Sequence, residues 1–241
     1  MGMGVTADQI ETSHIAYGYG QMLDLVAPIG RGVTGLVLLW HGRGPNERDV
    51  LEPLSRQIVR AGLAVMVPDW QSDADDGGRA HLLSSLSFAR AHVHEWTGTS
   101  GIVLAGWSLG ASAGADITLH PECVGGWRPA GFVGIAGGYL ASPIRQRPVL
   151  DDISADHAVP CVIVHGTDDE VVPVERSRTA YRLLAASGWP VELREIETNH
   201  AGIVGARYDP ARGRCVPSSD REPVRTTEQI ARLVAALGDA G

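Results

Sequence analysis

The residues Gly106-Trp107-Ser108-Leu109-Gly110 set a serine between two glycines, directly after the apolar run Ile102–Ala105. A serine on a tight strand-to-helix turn sits in a strained backbone conformation, and bulk on either side would collide with adjacent strands. The helix that follows presents free N–H groups and the positive end of its dipole. These are the conditions for a nucleophilic hydroxyl, the G-x-S-x-G elbow. A second match, Gly110-Ala111-Ser112-Ala113-Gly114, has no apolar strand directly before it. Ser112 falls one helical turn beyond Ser108 and reads as a small packing residue. The plainer reading of Ser108 is a helix N-cap without chemistry; the strand ahead of it favours the nucleophile.

The elements around this serine form one alternating series. Ile15–Tyr19 and Met22–Ala27 read as an antiparallel pair turning near Gly20. Leu36–Trp40, Leu63–Val67, Ile102–Ala105, Phe132–Ala136, Val162–Val164 and Val191–Ile196 read as buried strands. Val50–Ala61, Arg79–Trp96, Leu109–Leu119, Val174–Ala186 and Thr226–Leu237 have helical spacing. Strands alternating with helices of this length imply an α/β protein with a mostly parallel sheet covered on both faces. Such sheets place their sites at the carboxyl ends of the strands. The informative residues are therefore those just after each strand.

With those elements in place, the chain resembles the α/β-hydrolase family over nearly its whole length, from about Gly30 to the C-terminus. The resemblance implies a single α/β-hydrolase domain over residues 1–241, with helices on both faces of the sheet. It implies that His200, the only histidine after Val191–Ile196, is the base that takes the proton of Ser108 and returns it to the leaving group. Cys161–Val164 leads into His165-Gly166-Thr167-Asp168-Asp169-Glu170-Val171-Val172-Pro173, which looks like the family's H-G-x-x-D-x-x-V-P turn. That places the acid at Asp169, holding His200 in its tautomer; Asp168 is the alternative, one residue of register away. His165 reads as a structural residue at the strand end. His41-Gly42-Arg43, after Leu36–Trp40, resembles the H-G-x oxyanion loop, so the backbone N–H groups of Arg43 and Leu109 are the expected oxyanion donors. The loop departs from the H-G-G-G form of many lipases. The order Ser108, Asp169, His200 is the family's order.

The resemblance implies a serine hydrolase that cleaves a carboxylic ester through an acyl-enzyme. Acyl transfer and thioester or peptide cleavage use the same three residues, and a non-catalytic binding protein on a hydrolase fold is the alternative of another class. Only Gly137 to Pro160 separates two of the strands where other family members carry a lid. The segment is too short for a large cap, so an open pocket for small or medium acyl substrates is expected. The layout resembles the small, lidless carboxylesterase and dienelactone-hydrolase-like branch, although dienelactone hydrolases typically use cysteine where this chain has Ser108. Trp70, Trp107 and Tyr139 lie just beyond strand ends and are candidates to line the pocket. The long stretch from Gly202 to Arg225, with Arg207, Tyr208, Arg212, Arg214 and Cys215, is expected to fold over the site rim.

Composition narrows the alternatives. The net charge of −8 opposes nucleic acid and anionic membranes as partners. All 20 basic side chains are arginine, which excludes a Ser–Lys dyad, a P-loop lysine and a Schiff base. Cys123, Cys161 and Cys215 lack any C-x-x-C spacing and read as inert thiols. His92 and His94, two apart on a helix, do not face one ligand, and His81 and His157 read as surface residues. Neither a metal nor a dinucleotide cofactor is expected. The run Asp73, Asp75, Asp76 reads as capping chemistry before a helix. No signal segment or membrane span is legible, so a cytoplasmic protein acting on a small-molecule ester is the expectation.

Overall fold

The computed structural model describes residues 9–238, apart from the side chain of Glu222. The chain opens with β1 (Ile10–Ala16) and β2 (Met22–Pro28), then β3 (Leu36–Trp40), α1 (Glu52–Arg60), β4 (Ala64–Pro68) and α2 (Arg79–Thr97). It continues with β5 (Ile102–Trp107), α3 (Leu109–Leu119), β6 (Gly131–Ile135), β7 (Cys161–Gly166) and α4 (Glu175–Ala186). Last come β8 (Val191–Ile196), the short strands β9 (Ala206–Asp209) and β10 (Arg214–Pro217), and α5 (Arg221–Gly238). Eight strands form one sheet in the order β1-β2-β4-β3-β5-β6-β7-β8. Every pairing from β4 to β8 is parallel; β1 and β2 add an antiparallel edge. This is the α/β-hydrolase arrangement, and no helix interrupts residues 136–160 where a cap would insert.

Two cores follow from the alternation of side chains along each strand. From β3, Leu36, Leu38 and Trp40 face one side, where they meet Leu82 and Leu86 of α2 and Ile117 of α3. Val37 and Leu39 face the other side, against Leu54 and Ile58 of α1 and Ile230 and Val234 of α5. Burial on both faces explains why the central strands read as unbroken apolar runs.

Several elements differ from the sequence reading, among them α5, which starts at Arg221 rather than Thr226. β1 starts at Ile10 rather than Ile15, because its residues Glu11, Thr12, Ser13 and His14 are exposed on an edge strand and carry no apolar alternation. The helix expected from Val50 begins as a 3-10 turn at Arg48–Leu51 and becomes α-helical at Glu52, with a proline in its first turn. The stretch after His200 contains the hairpin β9–β10, pairing Tyr208 with Cys215. Ahead of α2, Asp76 does the capping: its carboxylate accepts from the amides of Gly78 and Ala80 at 2.9 and 2.8 Å.

The loop from β6 to β7 is tied down by a buried ion pair. The carboxylate of Asp116, fully buried on α3, accepts from Arg145 Nε at 2.6 Å, from the Arg145 amide at 3.1 Å and from the Ser142 hydroxyl. This latch fixes the chain within Leu140–Pro148, next to the residues that wall the site. Removing one member of a buried pair strands the other charge, at a cost of about 3–5 kcal/mol. Asp116→Ala is expected to lower the unfolding free energy by about that amount in urea titrations. A loss below about 1 kcal/mol would mean that water reaches Arg145 and replaces the pair.

Candidate active site

Ser108 connects β5 to α3 with φ 57° and ψ −118°, a strained conformation for a residue with a side chain. Its amide donates to Ile135 O of β6 at 2.8 Å, which fixes the turn against the sheet. The flanking glycines make the turn possible. A Cβ at Gly106 would lie 2.6 Å from Ala111 N, and one at Gly110 would lie 2.5 Å from Trp40 O. Backbone therefore packs on backbone on both sides of the serine. The hydroxyl of Ser112, one turn on, accepts from the Tyr139 amide at 3.1 Å and serves the loop.

The loop after β3 comes up against this turn. A Cβ at Gly42 would stand 3.1 Å from Ser108 Cβ and 3.2 Å from the Trp107 ring. The loop is shaped by His41, which is fully buried. Its Nδ1 lies 2.9 Å from Gly42 O, and its Nε2 lies 3.3 and 3.2 Å from the amides of Glu47 and Trp70. Two N–H groups aimed at Nε2 require a lone pair there, so the proton is assigned to Nδ1, donating to Gly42 O. Burial pushes its pKa from 6.5 down to about 3, keeping the ring neutral. Among the described residues, neither the Arg43 nor the Leu109 amide has a protein acceptor.

Asp169 and His200 meet directly. Asp169 Oδ2 lies 2.7 Å from His200 Nδ1 and 3.2 Å from His165 Nε2, and its side chain is fully buried. Its Oδ1 accepts from the amides of Val171 and Val172 at 2.9 and 2.8 Å. Burial alone would raise the pKa of this carboxyl; the hydrogen bonds from His165, His200 and the Val172 amide outweigh it and hold the acid well below the usual carboxylate range. Asp168 is exposed, with its carboxylate 3.2 Å from the Thr167 hydroxyl, so the geometry separates the two aspartates. His165, fully buried, also contacts Ser177 Oγ at 2.6 Å and Val172 O at 2.8 Å. It is a second imidazole on the same acid; in sequence it showed only as a strand-end residue.

Ser108 and His200 line one cavity of about 540 Å³. Among the described residues no hydrogen bond joins Ser108 Oγ to His200; such bonds are often long without substrate and tighten in the reacting complex. Trp107 lines this cavity too, but it is almost fully buried and acts on the histidine: its indole N–H donates to His200 O at 2.9 Å, with the rings 5.1 Å apart.

The other two aromatic candidates lie elsewhere. Trp70 is fully buried, stacked on His41 at 5.2 Å, and does not reach the cavity. Tyr139 has a positive φ of 51° and its ring is buried in the core, leaving Gly138 and Leu140 on the wall. Standing just past a strand end fixes the place of a residue but not the side to which it turns. The hairpin after His200 does border the cavity, through Tyr208, Gly213, Arg214 and Cys215. Arg207 and Arg212 do not. Arg214 ties the hairpin to the loop before α1 through Asp49, with Glu47 at 3.8 Å.

The three thiols are free. Burial raises Cys123 to about 11, Cys161 to about 12 and Cys215 above its ordinary value, so all three stay protonated at neutral pH. Among the described residues no three His, Cys, Asp or Glu side chains are grouped as a metal site requires, and no helix is long and apolar enough to cross a membrane.

The fold and the position of these residues define an α/β-hydrolase fold with its candidate site at the carboxyl ends of the strands. Among solved structures, the chain is similar to an esterase, Est22, with a TM-score of 0.72 at 16% identity, covering 97% of this chain and 81% of that one. It is also similar to brefeldin A esterase, a bacterial homologue of human hormone-sensitive lipase, with a TM-score of 0.70 at 18% identity over 99% and 80% of the two chains. An esterase of Pyrobaculum calidifontis has a TM-score of 0.69 at 12% identity over 95% and 85%. No protein-family model and no curated protein matches the sequence.

The neutral, buried His41 gives stability a pH dependence. Unfolded, an imidazole takes a proton below about 6.5; folded, this one resists until about 3. Its contribution is therefore complete above 6.5 and is lost as pH falls toward 3, at up to about 1.4 kcal/mol per pH unit. Asp169 adds its own loss only below its unfolded value of 3.8. Urea titrations between pH 6 and pH 4 are expected to show a slope shallower by about one proton in His41→Gln than in the parent chain. Equal slopes would mean that the ring is already protonated in the fold.

Proposed function

We propose that this chain is a serine hydrolase that cleaves a carboxylic ester of a small molecule. Ser108 is the nucleophile, His200 its base and acid, and Asp169 the group that orients His200. The observation that carries the reading is the 2.7 Å contact between Asp169 and His200, at the wall of the cavity into which the strained Ser108 turn opens. A carboxylate kept ionised by four donors holds the imidazole with its proton on Nδ1 and leaves Nε2 free to accept from the hydroxyl. The imidazolium formed on attack is then stabilised by the same carboxylate. The amides of Arg43 and Leu109 are the donors for the oxyanion.

In the reaction, Ser108 Oγ bonds the acyl carbon while its proton passes to His200. The tetrahedral centre collapses, the bond to the alcohol oxygen breaks, and that oxygen leaves with the proton from His200. Water then repeats the sequence on the acyl-enzyme and restores the hydroxyl. The similar solved structures are esterases, which supports this choice among acyl-transfer reactions. The uncapped loop from β6 to β7 supports a place among small, lidless carboxylesterases of one domain.

Turnover of p-nitrophenyl acetate is expected to fall by at least about 10⁴-fold in Ser108→Ala and by about 10⁴-fold in kcat in Asp169→Asn, with circular dichroism unchanged. Ser112→Ala is expected to keep most of the activity, since its hydroxyl serves the Tyr139 amide. Full activity in Ser108→Ala would overturn the reading. Comparing ester, thioester and anilide substrates with a matched acyl group separates ester cleavage from its relatives; the ester is expected to be the fastest.

A further inference from the structure

The Ser108 cavity is not the only space that reaches His200. A second hollow of about 400 Å³ is walled by Asp168, Glu170, Asn199 and Ala201 and also borders His200, but it touches none of Ser108, Leu109 and Arg43. The two spaces share Val171, His200, Tyr208 and Cys215. Of these four, Val171 and Tyr208 are the large exposed side chains, at 69% and 60%. Tyr208 stands on β9, opposite Cys215 of β10, in the hairpin that Arg214 ties to Asp49. It is thus held on a braced element between two cavities that both border His200.

We infer that the second hollow is the subsite for the departing alcohol, that this alcohol carries free hydroxyl groups, and that Tyr208 is the partition that limits its size. The inference rests on the hydrolase reading above. The acyl carbon must lie against Ser108 and the oxyanion donors, which only the first cavity offers. The departing oxygen must take its proton from His200, so the group that bears it lies beside that ring. The second hollow borders His200 and does not border Ser108, Leu109 or Arg43. The linings differ to match. Leu109, Leu140 and Val172 of the first cavity suit an apolar acyl chain. The exposed carboxylates of Asp168 and Glu170 accept hydrogen bonds from hydroxyls, which an alkyl alcohol could not supply. Because Tyr208 projects into solvent, shortening it removes the partition and leaves both cores intact.

The test compares kcat/KM for acetate esters that share an acyl group and differ in alcohol. Glyceryl monoacetate is expected to exceed butyl acetate by about tenfold in the parent chain. Tyr208→Ala is expected to raise glucose 6-acetate relative to glyceryl monoacetate by about tenfold, and Tyr208→Trp to lower it. The ratio of p-nitrophenyl butyrate to p-nitrophenyl acetate is expected to stay the same in both variants. Butyl acetate equal to or faster than glyceryl monoacetate overturns the assignment. So does a Tyr208 variant that changes the acyl-chain ratio and leaves the alcohol series as it was. If either result comes with turnover that Ser108→Ala abolishes, the alcohol subsite fails and the hydrolase reading stands. If no ester is turned over, both fail together.

Discussion

Backbone packed on backbone around Ser108 is the constraint on which the rest of the site depends. Gly106 lets the first turn of α3 close over the end of β5, and Gly110 lets the same turn lie against Trp40 O at the end of β3. A methyl group at either place would have to displace main chain, since no flexible side chain stands there to give way. The two contacts bring three strand ends together: β5 with the serine, β3 with its glycine loop, and β6 through the bond from the Ser108 amide to Ile135 O. The strain at φ 57° is stable because parallel strands on both sides fix its ends. The place of the hydroxyl and the packing are therefore coupled at this turn: what loosens the fit of α3 on β3 also moves Ser108.

A second constraint is electrostatic. A carboxylate cut off from water is costly unless its lone pairs are occupied. Asp169 meets this with four donors, two from the backbone of its own turn and two from imidazoles. The backbone pair requires the loop after β7 to curl back at Val171 and Val172, and His165 at the end of β7 holds Val172 O from below. His165, a strand-end residue in the sequence, therefore works on Asp169 twice, once through its own contact and once through the turn. Trp107 does the same for His200. It adjoins Ser108 in sequence and holds the main chain of His200, so the serine and the histidine are referenced to one indole.

Most of the fold was legible because the central strands are buried on both faces, which leaves runs such as Leu36–Trp40 with no polar interruption. The edge was not. β1 shows Glu11, Thr12, Ser13 and His14 to solvent, and edge strands need no apolar face. The hairpin β9–β10 was missed for the same reason; its exposed residues carry no period. The candidate site was legible where position along the chain was enough. Ser108, Asp169 and His200 each follow a recognisable strand, and the rule that sites lie at carboxyl ends of parallel strands did the rest. It failed for Trp70 and Tyr139, where direction mattered. Trp70 turns under the loop to stack on His41, and the positive φ of Tyr139 sends its ring into the core. Nothing in the spacing of apolar residues encodes that choice.

This division between legible and illegible parts has a physical origin that bears on how such a protein diversifies. Ser108, Asp169 and His200 are tied to the sheet and to one another through main-chain and side-chain contacts. The walls around them come from segments with separate anchors: Leu140 from a loop latched by Asp116 and Arg145, Tyr208 from a hairpin braced by Arg214 and Asp49. Neither anchor touches Ser108, Asp169 or His200. A change in the hairpin therefore alters the shape of the cleft and leaves the contact between Asp169 and His200 in place. The cost of such a change stays low at exposed rim positions such as Leu140 and Tyr208, and rises at Ala206 and Val216, which belong to the core. The contacts that hold Ser108, Asp169 and His200 and the two ion pairs that hold the walls, one buried and one at the rim, can then vary on independent terms.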